Sequence, residues 1–235
     1  MKRILSAYLW TVGILIFVPL TFFAILCSIF SRPETYDKWV KAGFRFLLRS
    51  MLIKITVEGL ENIDKRQSYI FMPNHVSLFD MPVLAGYIPN VVRAVEAEEN
   101  FKIPVYGKLI KWVGNIPISR ENIHASIKTF KAAIDNLAPG RSLAIFPEGH
   151  RTMTGYLGEF KKLPFFIIRE AGIPIVPIGM SGLYQLKSKH SWIIQPVTVK
   201  VKFGEAIDPG FMENLSPLDL RSFVKGKIEN LVEYS

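Results

Sequence analysis

From Ile4 to Phe30 the chain carries no charged residue. Coiled as a helix, that run would be roughly 40 Å long, more than the roughly 30 Å hydrocarbon core of a bilayer, so it belongs with a membrane. A cleaved signal peptide is the ordinary alternative. The run is too long for one, and no small-residue cleavage pattern follows it. Pro19 lies mid-run, where it removes a backbone hydrogen bond and crowds the preceding turn, so a kink or break is expected there.

After Arg32-Pro33 the pattern changes. Tyr36, Trp39, Val40, Phe44, Leu47, Leu48 and Met51 recur at helical spacing, with Lys38, Lys41, Arg45 and Arg49 on the other side. An amphipathic interfacial helix over 36–53 fits this pattern, and so does a helix packed on the core of the main domain. The expected organisation is a membrane anchor over 1–54, made of an apolar helix (4–30) and the amphipathic one (36–53), followed by a main domain over 55–235. Basic residues are denser from Arg32 to Lys54 than before the run, where there are only Lys2 and Arg3. That asymmetry places the main domain on the cytoplasmic side of the cell membrane.

Beyond the anchor, short apolar runs alternate with helical patterns. Ile53–Val57, Tyr69–Met72, Val91–Val95, Asn115–Ile118, Leu143–Phe146, Ile173–Ile178 and Val197–Phe203 read as strands. Helices are expected near 81–87, 105–112, 123–137, 164–170 and 218–232. The alternation predicts an α/β domain with a central, largely parallel sheet flanked by helices. The 29 basic against 20 acidic residues give a net charge of +9, which suits nucleic acid, an acidic membrane surface or a phosphorylated substrate. No Walker loop, GxGxxG, HExxH, paired CxxC or aromatic RNA-binding signature occurs, so nucleotide, metal and nucleic-acid readings lack support. The single cysteine, Cys27, excludes an internal disulfide framework, and its apolar surroundings argue against a reactive thiol.

Two strand ends carry chemistry. The first is Asn74-His75-Val76-Ser77-Leu78-Phe79-Asp80. A histidine there can offer one ring nitrogen to a substrate while a carboxylate holds the other. In an unbroken helix, residues five apart point about 140° away from each other, so the pair works only if His75 precedes the helix. Pro82 supports a late helix start. By itself the pairing is weak, since Asp80 could be a first-turn acid and nothing more. The second is Phe146-Pro147-Glu148-Gly149-His150-Arg151-Thr152, where Arg151 offers a planar fork for a phosphate and Glu148 could orient it or accept from a substrate hydroxyl. A solvated turn with a surface ion pair is the ordinary reading of the same residues.

Between these lies Gly114-Asn115-Ile116-Pro117-Ile118-Ser119-Arg120, and after them Ile173-Pro174-Ile175-Val176-Pro177-Ile178, which reads as buried scaffold. In order and approximate spacing, NHVSLFD, GNIPISR, FPEGHRT and IPIVPI resemble the motifs of the glycerophospholipid acyltransferases, especially 1-acylglycerol-3-phosphate acyltransferases. The resemblance covers roughly residues 55–180. It implies that His75 is the general base and Asp80 its partner. It also implies that Asn74, Arg120, Glu148, Gly149 and Arg151 bind the acyl acceptor and its phosphate. The implied reaction moves an acyl group from a thioester of coenzyme A or acyl carrier protein to the sn-2 hydroxyl of lysophosphatidic acid, giving phosphatidic acid, with no metal or other cofactor. Its partners would then be membrane lipids and not nucleic acid. Acylation of another lysolipid, or hydrolysis of the thioester, uses the same pair. Two departures stand out: His150 occupies a position where the family usually has Thr or Ser, and Leu163 one where Gly is common.

Overall fold

The structure, a computed structural model, describes residues 1–104, 106–119 and 121–234. Among these residues seven strands form one sheet: β1 (Lys54–Glu58), β2 (Ile70–Pro73), β3 (Val91–Ala97), β4 (Ile116–Ile118), β5 (Arg141–Ala144), β6 (Ile175–Ser181) and β7 (Thr198–Phe203). Their spatial order is β1-β7-β6-β2-β5-β3-β4, and every neighbouring pair is parallel except β6 with β7. The expected α/β class and all seven expected strands are present. Because β4, β3, β5, β2 and β6 run the same way, the loops after them gather at one edge, where open α/β sheets bind ligands.

Helices cover both faces: α1 (Lys2–Phe30), α2 (Pro33–Ser50), α3 (Asp80–Tyr87), α4 (Tyr106–Val113), α5 (Ile123–Asp135), α6 (Leu163–Ile168), α7 (Leu183–Leu186), α8 (Pro209–Glu213) and α9 (Pro217–Leu231). The alternation of β2 explains the two layers. Tyr69 and Phe71 enter a core shared with α1, α2 and α3, whereas Ile70 and Met72 enter one shared with α5, α6 and α9. Side chains of a strand point alternately to opposite faces, so a strand apolar at every position is buried on both. Caps fix the ends: the Asn122 side chain accepts from Ala125 N–H at the start of α5, and Ser216 accepts from Asp219 N–H at the start of α9.

α1 is helical from end to end, so the break expected at Pro19 does not occur. Its length and composition suffice to cross a membrane. One stripe of it, Ser6, Leu9 and Gly13, is buried against the domain, and Leu9 is fully enclosed. Elsewhere Ile4, Tyr8, Leu15, Val18 and Phe22 are exposed, an apolar surface suited to lipid.

α2 revises the purely interfacial reading. Leu47, Leu48 and Met51 belong to the core, and Phe44 packs its ring on Phe17 at 6.3 Å between centroids. Lys41, expected in the basic stripe, is buried: it pairs with Asp37 and donates to the carbonyls of Pro89 (2.8 Å) and Asn90 (2.9 Å). Arg45 Nη1 donates to Gly86 O of α3 at 3.2 Å. A buried ammonium needs such partners, which makes Lys41 a fixed strut of the fold. The outward stripe is Lys38, Trp39, Phe46 and Arg49, aromatic and basic, as suits a membrane surface. Residues 1–54 thus share one core with the sheet.

Candidate active site

β2 ends at Pro73 and α3 begins at Asp80, so His75 lies in the intervening loop, the condition its pairing required. His75 Nδ1 is 2.6 Å from Asp80 Oδ2. The carboxylate is wholly buried, and it also accepts from Val76 N–H (2.8 Å) and from Ser77 N–H (3.0 Å to each oxygen). With backbone donors aimed at it, Asp80 must act as an acceptor, so Nδ1 carries the imidazole proton and Nε2 holds the lone pair. Nε2 makes no hydrogen bond among the described residues. The ring stacks on Phe146, at the end of β5, with centroids 3.9 Å apart and planes 22° from parallel. Hydrogen bond and stack together leave the base one orientation.

The second motif grips the first through the backbone. Thr152 N–H donates to His75 O at 2.8 Å, and His75 N–H donates to Glu148 Oε1 at 2.6 Å. The other oxygen, Glu148 Oε2, accepts from Gly158 N–H at 2.8 Å. Glu148 is 1% exposed, with both oxygens accepting from main-chain donors, so it ties three loops together. Burial pushes its pKa up, against the pull of those two N–H groups. Asn74 is a brace of the same kind. Buried beside β6, its amide donates to Met180 O (3.0 Å) and accepts from Met180 N–H (2.7 Å), joining the His75 loop to the strand that read as scaffold.

Gly149 has φ +72°, a backbone conformation that side chains disfavour, and an added Cβ would stand 3.2 Å from Lys161 Cγ. It turns the chain so that exposed His150 and half-exposed Arg151 follow at the sheet edge. Arg151 makes no hydrogen bond or ion pair among the described residues, so its guanidinium is open to a ligand. Arg120 lies outside the described residues.

Beside the His75 turn runs an apolar cavity of about 490 Å³, walled by Leu78 and Phe79 of that turn, Trp10 and Phe17 of α1 and Phe44 of α2. Ligand sites typically measure about 300–1,000 Å³ and are mostly apolar with few polar groups. This cavity was not legible in the sequence, because its walls come from segments far apart in the chain. Ser77 is no nucleophile: its hydroxyl is buried and donates to Lys187 O at 2.7 Å.

Residues 54–181 match the sequence profile of the family described as Acyltransferase. The chain is 32% identical over 180 residues to a 1-acyl-sn-glycerol-3-phosphate acyltransferase of Cocos nucifera, a match covering 76% of this chain and 54% of that one. It therefore spans about half the length of that relative. A Saccharomyces cerevisiae protein of the same name is 27% identical over 216 residues, with 89% of this chain and 67% of the relative covered. Among solved structures, the 1-acyl-sn-glycerophosphate (LPA) acyltransferase PlsC from Thermotoga maritima superposes with a TM-score of 0.77 at 26% identity, covering 98% of this chain and 95% of that one. Since the profile takes in over half of the sequence, from the start of β1 to the end of β6, the chain belongs to the acyltransferase family.

Proposed function

We propose that the protein acylates lysophosphatidic acid at its sn-2 hydroxyl, using a fatty acyl thioester of coenzyme A or acyl carrier protein, to give phosphatidic acid. The observation that carries this reading is a fully oriented His75–Asp80 base beside an apolar cavity, with Arg151 of the neighbouring loop making no ion pair among the described residues. The names of the relatives support the same acceptor.

An alcohol is a weak nucleophile at neutral pH, so Nε2 of His75 removes its proton as the oxygen attacks the thioester carbon. Asp80 steadies the imidazolium that forms. The C–S bond then breaks, and the proton passes from Nε2 to the leaving thiolate. No acyl-enzyme is needed, in keeping with the buried Ser77 hydroxyl and with Cys27 lying in α1. The cavity takes an acyl chain, Arg151 the acceptor's phosphate, and the exposed apolar surface of α1 keeps the site at the lipid it modifies. The domain faces the cytoplasm at the cell membrane, where thioesters are supplied.

Arg151→Lys tests the acceptor. It preserves charge but loses the fork that grips two phosphate oxygens, and a lost charge-assisted hydrogen bond costs about 1.5–3 kcal/mol, or roughly ten- to hundredfold in kcat/KM. That loss is expected with lysophosphatidic acid and should be much smaller with a lysolipid lacking the phosphate monoester. Equal losses for the two acceptors, at fixed donor and salt, would remove Arg151 from the phosphate site.

A further inference from the structure

We infer that Lys187 is a second cationic ligand for the acceptor's phosphate, acting with Arg151 at the edge of the sheet; the inference rests on the function proposed above. Lys187 falls in none of the four motifs. Its place follows from the strand beside β2. After β6 the chain turns at Gly182, whose φ is +85° and where an added Cβ would come within 2.6 Å of Thr198 O, so only glycine fits. One short helix, α7, then delivers Lys187 to the edge that holds His75. Ser77 ties the two together: its hydroxyl donates to Lys187 O at 2.7 Å, and its own N–H donates to Asp80.

The side chain is out of place as a structural lysine. The residue is only 3% exposed, yet among the described residues its ammonium forms no ion pair with a carboxylate. Lys41, the other buried lysine, shows what a strut looks like, with one carboxylate and two carbonyls around its nitrogen. What surrounds the Lys187 nitrogen is the Trp192 ring, 4.8 Å away at its centroid, and the like charge of Arg151. Burial, and then Arg151, push the Lys187 pKa down. The indole face attracts a cation without supplying the anion that burial calls for.

Two neighbouring cations, neither paired with an acid among the described residues, make a site that an anion bridging them would complete. A phosphate monoester carries up to two negative charges and several acceptor oxygens. The arginine can take two of those oxygens side by side, and the lysine supplies a compact point charge. The trialkylammonium head of a choline lysolipid would meet two like charges instead.

The test uses the full chain in detergent micelles, with Lys187→Met to remove the charge while keeping an apolar stem, Lys187→Gln to remove it while keeping a polar head, and Lys187→Arg to retain it. For each, kcat/KM with lysophosphatidic acid and with lysophosphatidylcholine, the KM for the acyl thioester and the Tm are measured beside the wild type. The expected result is a ten- to hundredfold loss with lysophosphatidic acid for the two uncharged variants, a smaller loss with the choline lipid, an unchanged donor KM and recovery of most of the rate in Lys187→Arg. Equal losses on both acceptors, a rise in donor KM alone, or no loss in whichever uncharged variant folds would overturn the assignment of Lys187. Wild-type protein inactive on lysophosphatidic acid would instead overturn the proposed function beneath it.

Discussion

Replacing His75 by alanine is expected to lower the acyl-transfer rate by about 10²- to 10⁴-fold, the range over which a positioned acid–base group contributes. Folding should survive. The ring is half-buried at the sheet edge, where it stacks on Phe146. The backbone bonds of residue 75, N–H to Glu148 and C=O from Thr152, do not depend on the side chain. Turnover is measured alongside Tm. Retention of half the wild-type rate, with Tm unchanged, would show that another group takes the hydroxyl proton.

Asp80→Asn should be nearly as damaging, because an amide fails here in either orientation. With its oxygen toward His75, the imidazole keeps its tautomer but loses the charge that steadies imidazolium, and the amide N–H₂ faces the Ser77 N–H that Oδ1 now accepts. With the amide reversed, N–H₂ donates to Nδ1, moving the imidazole proton to Nε2, where it blocks the base. The expected loss is about 10²- to 10⁴-fold in kcat. Tm should also fall, since a buried donor left unmatched costs about 1–3 kcal/mol. A variant that loses stability yet keeps a tenth or more of the activity would reduce Asp80 to a brace for the loop before α3.

The strands were legible because each is a short apolar run bounded by polar or turn residues, and β6 shows the limit of that reading. Its sequence, IVPIGMS, announces burial but not that Met180 would hold the Asn74 side chain. The His75–Asp80 pairing could be read from five residues and one proline, because the whole constraint is local. The bracing bonds of Glu148 and Asn74 were not legible, for the opposite reason. In a motif a polar residue looks like a ligand, and only burial plus main-chain partners from distant loops, Gly158 and Met180, reveal it as a brace. Lys41 was misassigned in the same way, since helical periodicity shows which face a residue occupies but not that the Pro89–Asn90 turn covers it. Lys187 gave no local signal at all. Its position depends on a four-residue helix and on burial beneath Trp192.

The most direct test of acyl transfer is to identify the product. The purified 235-residue chain in detergent is given lysophosphatidic acid with an acyl thioester of coenzyme A or of acyl carrier protein. Released thiol is titrated while the lipids are separated and identified by mass. Phosphatidic acid formed in equal amount with the thiol is the expected result, from at least one of the two donors. Thiol release matched by free fatty acid, with the lysolipid unchanged, would contradict it and make the His75–Asp80 pair a base for water.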